Sequence, residues 1–375
     1  MTYFFRRRSE AMTFGLPVVC CALALILQSN IEPIEDYRTA IVVIVAGISI
    51  VLTLATVFAV LRHAEAIARR VGQPYGTLVL TLAVTTIEVS IIVSMMRHGA
   101  NNPTLARESV FSTVMIVCTG IVGMCLTLGG WRHRHQDVRR QGTSSFLSVL
   151  TAITVLTMVL PNYTLATSPG TFSPTQLAFV ALLSLLLYGL YGSFVFAQSY
   201  SQKEDFLEVQ LRESAPESHS PQVHGVPTHF VFLLLGLVGI VLLTERVAAG
   251  VEDGLTYLQI PQSDAIVGAM IAFVVLLPEA ISAIKASWGN ELQRALNVAL
   301  GSACATIGLT IPAVAAASLI TGKSLNLGLG PSDVILLVLA LAVSVVSFST
   351  GRTTVLTGLA HLVVFVAYVL LIAVP

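Results

Sequence analysis

Charge is scarce in this chain. Only 11% of its 375 residues are Asp, Glu, Lys or Arg, against 55% that are hydrophobic, and mean hydropathy is +0.84. Soluble domains carry about 25% charged residues, so a deficit this deep excludes a water-facing surface over most of the molecule. The few charges also balance, 20 basic against 20 acidic, which leaves no basic excess for a nucleic-acid partner. Cysteine is sparse as well. Cys20, Cys21, Cys118, Cys125 and Cys304 all lie in apolar runs, with no zinc-ligand spacing and no useful bridge, and read as small packing residues. Catalytic signatures are missing: there is no HExxH and no nucleophile–base pair. The one histidine deep in an apolar run, His361, has no evident partner in the sequence. These gaps argue against an intramembrane enzyme and against a cofactor.

What the chain does have is long apolar runs. Eleven of them, at about 12–30, 40–61, 76–96, 109–130, 145–161, 175–199, 229–250, 264–285, 293–320, 332–349 and 353–374, approach the roughly 20 residues that a helix needs to cross about 30 Å of hydrocarbon. The fold class expected is therefore an all-α polytopic membrane protein of about eleven transmembrane helices. Pro161, Pro169, Gly170 and Pro174 punctuate the break after the fifth run, and the 293–320 run exceeds one span and is expected to tilt or kink. Arg6, Arg7 and Arg8 precede the first run and imitate a signal peptide. No small-residue cleavage site stands out before the acidic loop of Glu32, Glu35 and Asp36, so the first run reads as a membrane helix.

With a cytoplasmic N-terminus, fifteen of the twenty Lys and Arg residues fall on the inner side; only Arg38, Arg97, Arg107, Arg246 and Lys323 fall outside. The positive-inside rule then predicts a bacterial inner-membrane protein with the C-terminus external. Trp131 and Trp288 fall at the inner interface, where aromatic anchors belong.

A polar segment, residues 200–228, divides the chain. It carries Glu204, Asp205, Glu208, Glu213 and Glu217, with His219, His224 and the adjoining His229, and reads as a plain solvated cytoplasmic linker. The organisation expected is a cytoplasmic N-terminus and first helix (1–39), a five-helix repeat (40–199), the linker, and a second five-helix repeat (229–375). The two fives match locally. The third span, GTLVLTLAVTTIEVSIIVS, and the eighth, AIVGAMIAFVVLLPEAISAI, each embed one glutamate, Glu88 and Glu279. The fourth, SVFSTVMIVCTGIVG, aligns with the ninth, ALNVALGSACATIG, on Gly123 and Gly308, setting Ser112 opposite Asn297. Five is odd, so the second copy enters the membrane from the other side, the inverted repeat of secondary transporters.

A carboxylate inside a membrane helix costs at least a few kcal/mol. Two at corresponding places point to a use beyond packing. Oxygen-bearing side chains surround them along the chain: Thr81, Thr85, Thr86 and Ser90; Ser112 and Thr119; Asn297, Ser302 and Thr306. Hard cations take oxygen ligands. Pro278, just before Glu279, lacks an N–H and so frees a carbonyl one turn earlier. The competing reading of each hydroxyl is back-bonding to its own helix, and that of Gly301 and Gly308 is close helix packing. The cation/proton-binding set read here is Glu88, Glu279, Asn297, Ser302, Ser112, Thr85 and Thr306, with Glu88 and Glu279 as the direct metal ligands and Pro278 as the helix break. Cation and proton compete for the same oxygens, which gives obligatory exchange if only loaded states switch sides. Glu65, Glu108, Glu245, Glu252, Asp253 and Asp264, near helix ends, read as solvated.

The segments GTLVLTLAVTTIEVSIIVS and LLPEAISAIKASWGNELQRALNVALGSACATIGLTIPAVA resemble the two alpha-repeats of the calcium/cation antiporter superfamily, and most of all the bacterial ChaA-type calcium (sodium, potassium)/proton antiporters. The resemblance spans nearly the whole chain. It implies a central site between spans 3, 4, 8 and 9, with Glu88 and Glu279 as ion and proton carriers and Asn297, Ser302 and Ser112 nearby. The partners implied are inorganic cations (Ca²⁺, or Na⁺ or K⁺), protons and the lipid bilayer. Two departures stand out: span 3 has Ile–Glu where span 8 has Pro–Glu, and Thr119 stands where family members often carry Asn. A passive cation channel and a carrier of another small solute are the alternative readings.

Overall fold

The computed structural model describes residues 2–29, 39–71, 83–93, 103–165, 167–201, 225–257 and 262–374. Most of the predicted linker, with His219 and His224, lies outside them, as do the acidic loop and Thr81. The described residues form eleven helices, α1 (Thr2–Ser29), α2 (Thr39–Val71), α3 (Ala83–Val93), α4 (Leu105–His133), α5 (Arg140–Thr154, extended to Tyr163), α6 (Pro174–Ser201), α7 (Val226–Tyr257), α8 (Ser263–Trp288), α9 (Leu292–Thr321), α10 (Pro331–Ser349) and α11 (Val355–Ala373). Each falls on one apolar run of the sequence. Nine are long and apolar enough to cross a membrane, and α1 and α3 supply shorter apolar stretches. The outward faces are as greasy as the interior: Ile335, Val346, Val363 and Leu370 are all at least 60% exposed. Such a surface suits lipid, not water.

The chain divides into two compact units, residues 1–100 with 220–263, and 101–219 with 264–375. In the first, α7 packs on α1 and α2 through glycines. Gly239 meets the Cys21 backbone, where a Cβ would stand 2.9 Å from the nitrogen, and Gly236 meets Val60 and Pro17. Bare Cα atoms let the backbones approach, which is how helices associate where lipid offers no hydrophobic drive. Cys20, Ala24 and Leu243 fill the seam, as the sequence reading of the cysteines anticipates. His229 departs from the linker reading. It sits in the first turn of α7 with its Nδ1 2.9 Å from Nδ1 of the fully buried His63.

In the second unit α4 is the centre and is almost wholly buried. Helix α9 packs on it, α11 packs along it, and α5, α6 and α10 enclose the rest. Again glycines set the approach. Gly120 lies on the Phe365 ring and Gly123 on His361 and Leu362, while Gly358 lies against the Thr127 nitrogen and hydroxyl. Two short strands, Gln136–Asp137 and Arg352–Thr353, pair antiparallel and tie the ends of α4 and α10 together. Helix α9 is uninterrupted through Pro312 and stops at Gly322, whose φ of 67° is a left-handed conformation that glycine adopts without strain.

Helix α4 is not a plain α-helix. Residues Ile116–Ile121 form a π-helical turn between α segments Leu105–Met115 and Val122–His133. A second π-turn, Val155–Val159, followed by a 3₁₀ turn, ends α5 around Pro161. Neither turn has a signature in the hydropathy pattern.

Gly358→Leu tests the glycine seam. The new side chain would overlap the α4 backbone, a cost of about 1–3 kcal/mol. A clear fall in the thermal midpoint of detergent-solubilised protein is expected. Gly189→Ala, on a helix face with nothing within 4 Å, is expected to leave the midpoint unchanged.

Candidate functional site

Two residues of the candidate set belong to the first unit, on α3. Glu88 is 1% exposed and Thr85 is 5%, and three residues apart they share one helix face. Ile87, Ile91 and Ile92 are buried beside them. A carboxylate buried this fully within an apolar membrane helix is costly to keep charged.

The remaining candidates belong to the second unit. Glu279 follows Pro278 in the middle of α8. Pro278 has no N–H, so the Val274 carbonyl loses its helical donor. Glu279 Oε2 is buried and has no hydrogen-bond partner among the described residues. Helix α8 is fastened to α4 on either side of Glu279. Toward its start Gly268 lies against Glu108 and the Ser109 nitrogen, and near its end Ser287 Oγ donates to the Cys125 carbonyl at 2.5 Å.

On α4, Ser112 is 1% exposed and its hydroxyl accepts a 2.7 Å hydrogen bond from the Tyr368 hydroxyl of α11. On α9, Asn297 Oδ1 accepts from Gln293 Nε2 at 2.9 Å, and the Arg139 amide donates to Gln293 Oε1 at 2.9 Å. The Asn297 side chain is thus held through Gln293. Thr306 is buried and Ser302 half-buried. Thr119 donates to the Met115 carbonyl of its own helix, so back-bonding describes it better than ligation.

Four features depart from or add to the sequence reading. Glu108 is no solvated helix end: it is 6% exposed and held by Arg107, whose Nε and Nη2 reach Glu108 Oε1 at 2.8 and 2.5 Å, while Arg107 Nη1 donates to the Gly328 carbonyl. Asp264 accepts from the Thr104 hydroxyl at 2.6 Å. The hydroxyl of Thr310, fully buried on α9, has no partner among the described residues. Thr310 stands one turn beyond Thr306, which itself stands one turn beyond Ser302. The sequence reading did not single it out, although that four-residue spacing is a signal that could have found it. Lastly, His361 has two partners, the Cys118 carbonyl and Ser347 Oγ.

The π-turn also bears on the repeat alignment. An α-helix turns about 100° per residue, and a π-turn inserts one extra residue. Counting back from Gly123 to Ser112 crosses that insertion, whereas the matching stretch of α9 is regular. Ser112 and Asn297 correspond in sequence position but not in helical facing.

Comparison with known proteins places this arrangement. The family model of the sodium/calcium exchanger proteins matches residues 39–197 and 228–374, five helices in each stretch. The chain belongs to that family. Within it, the chain is 35% identical to the sodium-potassium/proton antiporter ChaA of Escherichia coli, over 88% of this chain and 89% of that one. It is 40% identical to the protein y4hA of Sinorhizobium fredii, over 96% and 95%. Among solved structures it shares the fold of YfkE (TM-score 0.70, 15% identity, 97% of this chain and 100% of that one) and of the H⁺/Ca²⁺ exchanger CAX (TM-score 0.64, 16% identity, 96% and 88%). The resemblance of the two glutamate-bearing segments to the calcium/cation antiporters therefore extends over most of the chain, which is a multi-pass membrane transporter for cations.

The Tyr368–Ser112 bond yields an asymmetric prediction. Tyr368→Phe removes the donor and leaves a small hydroxyl able to re-bond to its own helix, costing about 1 kcal/mol. Ser112→Ala strands the buried tyrosine hydroxyl, at about 1–3 kcal/mol. The thermal midpoint in detergent is expected to fall further for Ser112→Ala.

Proposed function

We propose that the protein is an antiporter of the bacterial inner membrane, with its N-terminus cytoplasmic, that exchanges a cytoplasmic cation for external protons by alternating access. Glu88 and Glu279 are the groups for which cation and proton compete. The observation that carries this reading is Glu279 Oε2, a buried carboxylate oxygen with no donor among the described residues. Such an atom calls for a proton or a metal ion, and an exchanger supplies each in turn.

Asn297, Ser302, Ser112, Thr85 and Thr306, with the carbonyl freed by Pro278, supply further oxygen. A neutral, all-oxygen donor set suits hard cations. Two carboxylates balance two protons against one Ca²⁺, and the same pair balances one proton against one monovalent ion. We take Ca²⁺ as the first substrate to test. The Na⁺ or K⁺ reading is favoured by the likeness to ChaA, named a sodium-potassium/proton antiporter, while a Ca²⁺/H⁺ antiporter of Aphanothece halophytica is 22% identical over 73% of this chain. Two buried glutamates on separate helices favour a carrier over a passive channel, which needs a continuous pore lined by charge or carbonyls.

The test is cation-driven collapse of a preformed pH gradient in everted vesicles, with Ca²⁺, Na⁺ and K⁺ each added across pH 7–9. Wild type is expected to respond to at least one of them. Glu88→Gln and Glu279→Gln are each expected to lose the response by more than about tenfold, the equivalent of about 1.4 kcal/mol. Uphill cation uptake driven by the pH gradient separates exchange from a channel. No response to any cation, or full activity in either variant, overturns the reading.

A further inference from the structure

The π-turn of α4 poses a question of hydrogen-bond accounting. In a continuous α-helix the Val122 N–H would bond to the Cys118 carbonyl; here it bonds to the Val117 carbonyl instead. Cys118 O therefore loses its helical donor, fully buried in apolar surroundings where no water reaches it. The missing donor comes from another helix. His361 of α11, 0% exposed, places Nδ1 2.7 Å from Cys118 O. A carbonyl only accepts, so Nδ1 carries the proton. In the neutral ring Nε2 then accepts, and Ser347 of α10 sits 2.9 Å away with a hydroxyl to donate. The geometry fixes one tautomer and satisfies every polar atom of the imidazole.

The same face of α11 grips α4 on both sides of the turn. Gly358 meets Thr127, His361 meets Cys118 and Gly123, Phe365 meets Gly120, and Tyr368 bonds to Ser112 and stacks edge-on with Phe111. Residues 361, 365 and 368 repeat at helical spacing, so one rigid helix face spans the π-turn and both flanking α segments. Were the turn to relax to α geometry, the N-terminal half of α4, with Ser112, would rotate by about 100° relative to the C-terminal half.

We propose that His361 is a positioning residue for transport: its Nδ1–H holds the Cys118 carbonyl, and so the π-turn, and thereby sets the face that Ser112 and the N-terminal half of α4 present. The inference rests on the exchange reading above. It adds to that reading a residue outside the ligand set, acting through the backbone of α4.

The variants that test it differ in where they place a donor. The amide nitrogen of His361→Asn stands where Nδ1 stood and keeps the bond to Cys118 O. His361→Gln carries its amide toward the Nε2 side, and His361→Leu has no donor. Cation-dependent exchange in everted vesicles, normalised to the protein present in the membrane, is expected to keep its apparent KM within about twofold in His361→Asn and to lose affinity by roughly tenfold in His361→Gln and His361→Leu. The pH profile of His361→Asn is expected to match wild type, because the role needs a donor and not a titrating group. A role in packing alone predicts lower protein levels with KM unchanged, and a role as proton carrier predicts a displaced profile in His361→Asn; either result overturns the proposal. Independently of transport, ¹⁵N NMR of histidine-labelled protein, assigned against His361→Asn, is expected to show the Nδ1-protonated tautomer, and the opposite tautomer sinks the clamp. If wild type moves no cation, the exchange reading fails and the positioning role fails with it, while the tautomer still reports the contact.

Discussion

In hydrocarbon, a backbone amide or carbonyl has no water to turn to, and each one left unpaired costs several kcal/mol. Every other feature of this molecule is arranged around that constraint. It makes each apolar run a helix, because only a helix pairs the backbone within its own segment. It also makes each departure from helical pairing conspicuous, since a departure must be met from elsewhere. Where α4 loosens into a π-turn, His361 arrives from α11; α8 runs unbroken through Pro278, so the expected helix break is not seen, and the proline only leaves the Val274 carbonyl, one turn before it, without its helical donor.

The same constraint explains why glycine recurs at the seams. Without a hydrophobic drive between helices, association relies on close van der Waals contact and interhelical hydrogen bonds. Gly236 and Gly239 in the first unit, and Gly120, Gly123 and Gly358 in the second, open the space in which backbones and polar side chains meet. The bonds from Tyr368 to Ser112 and from His361 to Cys118 cross such a seam. A packing solution and a polar network are one structure here, and the helix that carries Ser112 takes its register from both.

Function enters where satisfaction stops. Most buried polar groups of the second unit are paired, including Ser112, Thr119, Ser287 and His361. Glu279 Oε2, Thr310 Oγ1, Ser109 Oγ, Gln136 Oε1 and Asn326 Oδ1 are not, among the described residues, and Glu279 Oε2 is the one carboxylate oxygen of that group. A buried carboxylate oxygen left unpaired costs more than an unpaired hydroxyl or amide, and it is the place where a proton or a cation belongs. Membership of the sodium/calcium exchanger family is consistent with that chemistry.

The number of helices, their approximate ends, the packing role of the cysteines and the embedding of Glu88 and Glu279 were legible from the residues alone. Hydropathy is a local property, a span has a fixed length, and a carboxylate within an apolar run is buried whatever the helix packs against. The tertiary structure decided the rest: the π-turn, the burial of Glu108 beneath Gly268 with Arg107 as its partner, the back-bonding of Thr119 and the two partners of His361. Each depends on contacts between residues that are distant in sequence or on the register of a helix. Cys118 and His361 are 243 positions apart, and Ser112 and Tyr368 are 256 apart. A π-turn leaves no mark on composition or periodicity, because the donor that makes it tolerable stands on another helix.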